Sequence, residues 1–234
     1  LDGANVHVSM VGFDDGSEQR RQLDGEAAEE ISSQLSSASV HEATALPGNR
    51  GVSFMGITPS GPFQILDGEA SDLLRLPNPH GRPSSDVLRP WMNGADITGR
   101  WSGEWIVDFQ STASERDASL YDAAFHLVKE RVAFARHGYK TGGKQFWRFE
   151  RGRPEMRTAL MGRSRFLGRS MVGKHQFFTW LPSEFLPANL VILFARSDDL
   201  FFGILHSRFH ELWTLRMGTR LETRPRYTPT TCFE

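Results

Sequence analysis

In residues 115–136 the side chains Leu120, Ala124, Val128 and Val132 recur every four positions, with Tyr121 and Phe125 beside them. That spacing predicts an amphipathic helix, broken by the glycine-bearing stretch 138–143. It is the strongest helical period in the chain. Elsewhere the apolar residues come in short runs. Strands are expected at 6–11, in two pieces of 51–66 separated by Ser60-Gly61-Pro62, and at 105–109, 176–180, 190–195 and 201–205. Shorter helices are expected at 26–36, 69–76 and 206–216, a turn at Asp14-Asp15-Gly16, a loop at 77–85 and an extended segment at 221–228. This mixture predicts an α+β fold: a mixed or antiparallel sheet with a few packing helices. A polar stretch at 32–39 precedes a change of composition near Asn49, where a second unit is expected to begin.

The chain has 234 residues, enough for one large domain or two small ones. Its single cysteine, Cys232, excludes an internal disulfide framework and fits a reducing compartment. No apolar run is long enough to span a membrane, and Leu1-Asp2-Gly3 does not begin a signal peptide. The chain opens without methionine and stops at Cys232-Phe233-Glu234, so it reads as part of a longer protein. The net charge of -1 hides a segregation. Residues 1–75 carry four basic side chains against twelve acidic ones, whereas residues 131–180 carry twelve basic side chains against Glu150 and Glu155. Such asymmetry points to an anionic partner for the middle of the chain. The competing reading is a solvated face.

Several motifs carry no chemistry. Gly138-Tyr-Lys-Thr-Gly-Gly143-Lys144 has P-loop spacing, but Gln145 stands where Ser or Thr must hold magnesium. His206 and His210 are spaced like zinc ligands, without a glutamate after His206 or cysteines to complete a site. Nothing fixes a base beside Cys232. No glycine-rich loop follows a strand to cradle S-adenosylmethionine. An adenine-binding Asn/Asp-Pro-Pro-Tyr/Phe motif is also missing, Asn78-Pro79-His80 being only a superficial approach to it.

Two constellations remain. In residues 140–180 cations alternate with aromatics; Arg163, Arg165, Arg169, Lys174 and His175 are candidates for phosphate contacts, while Trp147 and Phe149 read as core. The second is Leu221-Glu-Thr-Arg-Pro-Arg-Tyr227. Pro225 favours extended backbone at Arg224, and in an extended segment Glu222, Arg224 and Arg226 point to one side. Arginine can donate two hydrogen bonds to guanine and glutamate can accept one from cytosine, so the triplet suits reading a G·C pair. A surface salt-bridge ladder is the alternative.

Several strings resemble the single-chain Type IIL restriction-modification enzymes of the MmeI type. They are Asn49-Arg-Gly-Val-Ser-Phe-Met-Gly56, Asp86-Val-Leu-Arg-Pro-Trp-Met-Asn-Gly-Ala-Asp-Ile97, Trp105-Ile-Val-Asp-Phe109, Phe202-Gly-Ile-Leu-His-Ser-Arg-Phe-His-Glu-Leu-Trp213 and Arg226-Tyr-Thr-Pro-Thr-Thr-Cys-Phe-Glu234. The resemblance runs over nearly the whole chain, with Gln110 standing where glycine is expected. It implies that residues 1–45 are the last strands of a methyltransferase domain and that residues 46–234 are a DNA target recognition domain. Base-reading residues would fall at Glu222, Arg224 and Arg226, and at Asn189 in an earlier segment. The implied partners are double-stranded DNA and the methyltransferase domain of the same chain, in a bacterial cytoplasm. S-adenosylmethionine would serve the longer enzyme, an adenine-specific DNA methyltransferase with a nuclease in some relatives, and no cofactor is expected in residues 1–234. The rival reading is a protein-interaction or scaffold module with an incidental basic face.

Overall fold

The computed structural model describes residues 10–31, 37, 43–110, 113–137, 145–221 and 224–234. They belong to two compact units, Leu1–Leu46 and Pro47–Glu234. In the first, β1 (Arg21–Leu23) and β2 (Glu26–Ala28) form an antiparallel hairpin in the register Leu23↔Glu26. Asp24 and Gly25 both have positive φ, 54° and 85°. This is the two-residue turn for which Asp-Gly is a strong signal. The helix expected from residue 26 is therefore corrected: its first residues are strand, and 32–36 lie outside the described residues. The strand expected at 6–11 falls mostly outside them too.

The second unit is α+β, as expected, and rests on two four-stranded sheets. One is antiparallel and runs β3 (Ser53–Met55), β10 (Val191–Phe194), β7 (Arg165–Ser170), β8 (Thr179–Pro182). The other is mixed and runs β4 (Gln64–Leu66), β6 (Glu104–Val107), β5 (Leu88–Met92), β9 (Leu186–Pro187), with β5 and β9 parallel. The apolar run of β10 is buried on both faces. Val191 and Leu193 enter a large core with Phe63, Ile106, Phe166 and Trp147, while Ile192 and Phe194 enter a second core with Phe178, Tyr227 and Phe233. Gly56 joins the sheets: its N–H donates to Val191 O (3.0 Å), and the next N–H, of Ile57, donates to Pro187 O (2.9 Å). The side-chain amide of Asn49 donates to Phe233 O (2.7 Å), linking the start of this unit to its end.

Helices pack against these sheets. α1 (Asp67–Arg75) falls where a helix is expected. α2 (Gly94–Thr98) and α5 (Pro154–Leu160) occupy segments with no helical reading. The long helix expected over 115–136 is interrupted into α3 (Glu115–Ser119), α4 (Asp122–Val128) and a π-helical turn, Lys129–Ala133. Two bonds from remote segments meet the chain at the break. Asn78 donates to Leu120 O (2.7 Å) and the Tyr121 hydroxyl donates to Asp86 (3.2 Å), drawing this corner out of the helical ladder. Val128 and Val132 nevertheless bury fully, as their spacing predicts.

The strand expected at 201–205 is instead α6 (Asp199–Leu205), and α7 (Arg208–Met217) follows it. Asp198 accepts the Phe201 N–H (2.9 Å) and Ser207 accepts the His210 N–H (3.2 Å), so each helix has an N-cap that the apolar run obscures. The chain closes with β11 (Thr219–Leu221), β12 (Arg224–Arg226) and α8 (Pro229–Cys232). No helix among the described residues is long and apolar enough to cross a membrane.

Candidate nucleic-acid interface

Within the segment expected to be extended at 221–228, residues 224–227 form the middle of a three-stranded ribbon. On one side β12 pairs with β11 in the register Thr219↔Arg226 and Leu221↔Arg224. On the other, Val172 bridges to Arg226, the Tyr227 N–H donates to Met171 O (2.8 Å) and the Gly173 N–H donates to Pro225 O (3.2 Å). Strand parity sets the orientation of the side chains. Tyr227 is buried, at 1% exposure, so Arg226 and Arg224 point away from the core. Thr219 and Leu221, directly opposite them, share that outer face. The sequence reading missed these two residues; the antiparallel register was the information it lacked.

The turn after β9 reaches the same place. The Met171 N–H donates to Leu190 O (2.7 Å), which brings the part-exposed Asn189 beside the ribbon. Lys174 and His175 follow directly from the ribbon strand at 171–173, and both are exposed. The backbone thus brings together the segments that carry Asn189, Lys174, His175, Arg224 and Arg226. Glu222 lies outside the described residues. Arg163 and Arg165 sit at the opposite end of β7, roughly 15–20 Å away at the rise of an extended strand. Arg163 is part-buried and donates to Ala159 O (2.9 Å). Arg165 stacks 3.9 Å over Trp180 and pairs with Asp199 at 2.8 Å.

Arg169 requires a correction. It is 1% exposed, inside the second core, and has no surface to offer a phosphate. Among the described residues the basic tract is less of a charged face than its composition implies. Arg136 donates to Ser60 O and Pro59 O (2.8 and 2.6 Å), and Arg157 pairs with the buried Asp108 (2.7 Å). These guanidiniums satisfy carbonyls and a carboxylate in loops that lack regular ladders. Phe146, Trp147 and Phe149 are core, which agrees with the expectation for Trp147 and Phe149.

No family model matches the sequence, and no curated protein matches it by sequence. A solved structure of the Type IIL restriction-modification enzyme MmeI in complex with DNA matches with a TM-score of 0.64 at 17% identity, over 89% of this chain and 28% of that chain. The chain shares its fold with part of MmeI. It spans little more than a quarter of the MmeI chain, and the likeness is one of fold.

Beneath the ribbon of this MmeI-like fold lies a polar cluster. His206 and His210, which have the spacing of metal ligands, both bond to protein groups. Nε2 of His206 accepts the Phe178 N–H (3.3 Å), so its Nδ1 carries the proton and donates to Phe202 O (3.1 Å). Nε2 of His210 meets the Tyr227 hydroxyl at 3.2 Å. Among the described residues no group of three His, Cys, Asp or Glu is placed to hold a metal. Cys232 is buried and receives the Thr228 N–H on its sulfur (3.5 Å). Burial, then the Arg169 cation and His206, lower the His210 pKa from 6.5 to about 4. Below pH 6.5 the unfolded chain therefore takes up a proton that the folded chain refuses. Stability should be complete above that pH and fall as pH drops toward 4, by about 2 kcal/mol after allowance for partial exposure. Urea midpoints between pH 7 and 4 test this, and His210→Gln should flatten the slope.

Proposed function

We propose that residues 47–234 form a target recognition module for double-stranded DNA in a longer restriction-modification methyltransferase. The observation that carries this reading is the convergence of Arg224, Arg226, Asn189, Lys174 and His175 on one ribbon and its adjoining turn. The fold shared with an enzyme solved on DNA supports it. Arg224 and Arg226, with Glu222, would read base edges in the major groove. Lys174 and His175 would hold phosphates, joined by Arg163 and Arg165 farther along the duplex. Residues 1–46 would then belong to the methyltransferase domain.

The longer enzyme would methylate adenine at N6, after flipping the base, in a bacterial cytoplasm. S-adenosylmethionine would supply the methyl group there, bound by the rest of the longer enzyme. The segments that follow β5, β6 and β10 begin Asn93-Gly94, Asp108-Phe109-Gln110 and Ala195-Arg196-Ser197, none of them a glycine-rich loop. The second reading, a protein-interaction module, is favoured by the apolar side chains that α7 exposes: Phe209 at 87%, Leu212 at 50% and Trp213 at 39%. In the first reading that face meets the methyltransferase domain of the same chain.

Salt separates the two readings. The three Lys and Arg contacts among the proposed phosphate contacts, from Arg163, Arg165 and Lys174, imply a slope of log K on log salt near −3. Affinity for a mixed-sequence duplex should then fall about fiftyfold between 50 and 200 mM salt. Fluorescence anisotropy at both concentrations measures it. A flat dependence, or no binding at 50 mM, would favour the interaction module.

A further inference from the structure

The buried Arg169 has no role in the reading above, yet it lies directly under the ribbon. Its guanidinium is held between two rings, Tyr227 at 4.4 Å and Phe178 at 5.1 Å. It donates through Nε to Ser170 O (3.1 Å) and through Nη1 to the side-chain carbonyl of Gln176. It forms no ion pair with a described carboxylate. Burial lowers its pKa to about 10, so it remains a cation at neutral pH. Burial also raises the Tyr227 hydroxyl far above its ordinary range and leaves His210 uncharged, so the hydroxyl keeps its proton.

We infer that Arg169, Tyr227 and His210 are positioning residues for base reading; this rests on the function proposed above. Tyr227 follows Arg226 immediately, and parity turns it inward where Arg226 turns outward. Its ring fixes β12 on the Arg169 guanidinium, and its hydroxyl ties the same strand to His210 on α7. Gln176 ties the loop carrying Lys174 and His175 to the same cation. One cluster therefore sets the height and tilt of two strands of the ribbon relative to β7 and α7. The rings attract the cation without neutralising it, so positive charge is retained beneath the face proposed to meet phosphates. A carboxylate in their place would fix the arginine equally well and cancel that field.

Tyr227→Phe removes only the hydroxyl contact, and Arg169→Lys removes the planar cation while keeping its charge. Amide hydrogen exchange in each variant should be about tenfold faster in peptides covering 171–176 and 219–227, with β7 and β10 unchanged. Selection from a pool of duplexes with randomised positions should show about a tenfold loss of sequence preference. Affinity for a mixed-sequence duplex and its salt slope should stay as in the unsubstituted chain. Unchanged exchange in the ribbon, or acceleration spread equally over β7 and β10, would overturn the positioning role. Should the unsubstituted chain enrich no sequence, the DNA reading falls on that result alone, and exchange still decides whether the cluster positions the ribbon.

Discussion

Replacing Arg226 with alanine is expected to remove the preference for one base pair while leaving affinity for mixed-sequence duplex nearly intact. Arg226 lies on the outer face of a strand whose next residue, Tyr227, is fully buried, so truncation leaves the anchoring of the strand untouched. A bidentate arginine–guanine contact is worth about 1–3 kcal/mol of discrimination, or roughly tenfold to a hundredfold at that position. Arg224→Ala should act in the same way at a neighbouring position, and the double variant should lose both. Changing Glu222 and Arg224 together should instead replace the preferred base at one position. Lys174→Ala is the control: it should weaken every sequence alike and reduce the salt slope by about one. Selection from randomised duplexes, followed by competition binding, distinguishes these outcomes. Equal weakening of all sequences by the Arg226 or the Glu222/Arg224 change would remove the base-reading assignment.

Gly56→Ala should be the most damaging single methyl addition in the second unit, lowering stability by roughly 3 kcal/mol or more. A Cβ on Gly56 would stand 2.1 Å from Ala188 O and 2.3 Å from Pro187 O, both of them backbone atoms. Neither carbonyl can swing aside as a side chain would. Both belong to the segment that leads to Asn189, and the N–H of Ile57 bonds to one of them. The variant should therefore either fail to accumulate or melt far earlier, and any folded remainder should have a displaced Asn189 turn. Thermal unfolding against Gly68→Ala, on an open face of α1, provides the comparison, since nothing lies within 4 Å of a Cβ at Gly68. Equal melting temperatures for the two variants would contradict the close approach of the backbones.

The features legible in the sequence were those written in local periodicity. The apolar run of β10, the buried positions of α4 and the extended character of 224–226 all follow from spacing and residue type. What escaped depended on distant partners. Residues 165–170 carry no strand reading in the sequence, where Arg165 and Arg169 stand out only as cations, yet they form the inner strand β7. That strand tolerates Arg169 only because Phe178 and Tyr227, from remote segments, enclose its guanidinium. The hairpin of the first unit was obscured by helix-favouring Glu and Ala residues, despite an Asp-Gly turn beside them. In the candidate interface, the common direction of Arg224 and Arg226 was legible from Pro225 and alternation. The proximity of Asn189 was not, because it depends on the pairing of β10 with β7 and on the bond from Met171 to Leu190 O that continues it. Charge counting overstated the phosphate-binding surface, since a composition cannot distinguish an arginine that faces water from one that satisfies carbonyls.

The parity of the ribbon also bears on how such a module can diversify. The backbone ladders to β11 and to 171–173, together with the inward Tyr227, hold β12 in place, whereas Thr219, Leu221, Arg224 and Arg226 share the opposite face. These four positions are exposed, so substitutions there take no side chain out of the core. Under the proposed function the ribbon would act as interchangeable type on a fixed press, a new base preference requiring the exchange of one outward side chain and no change beneath it.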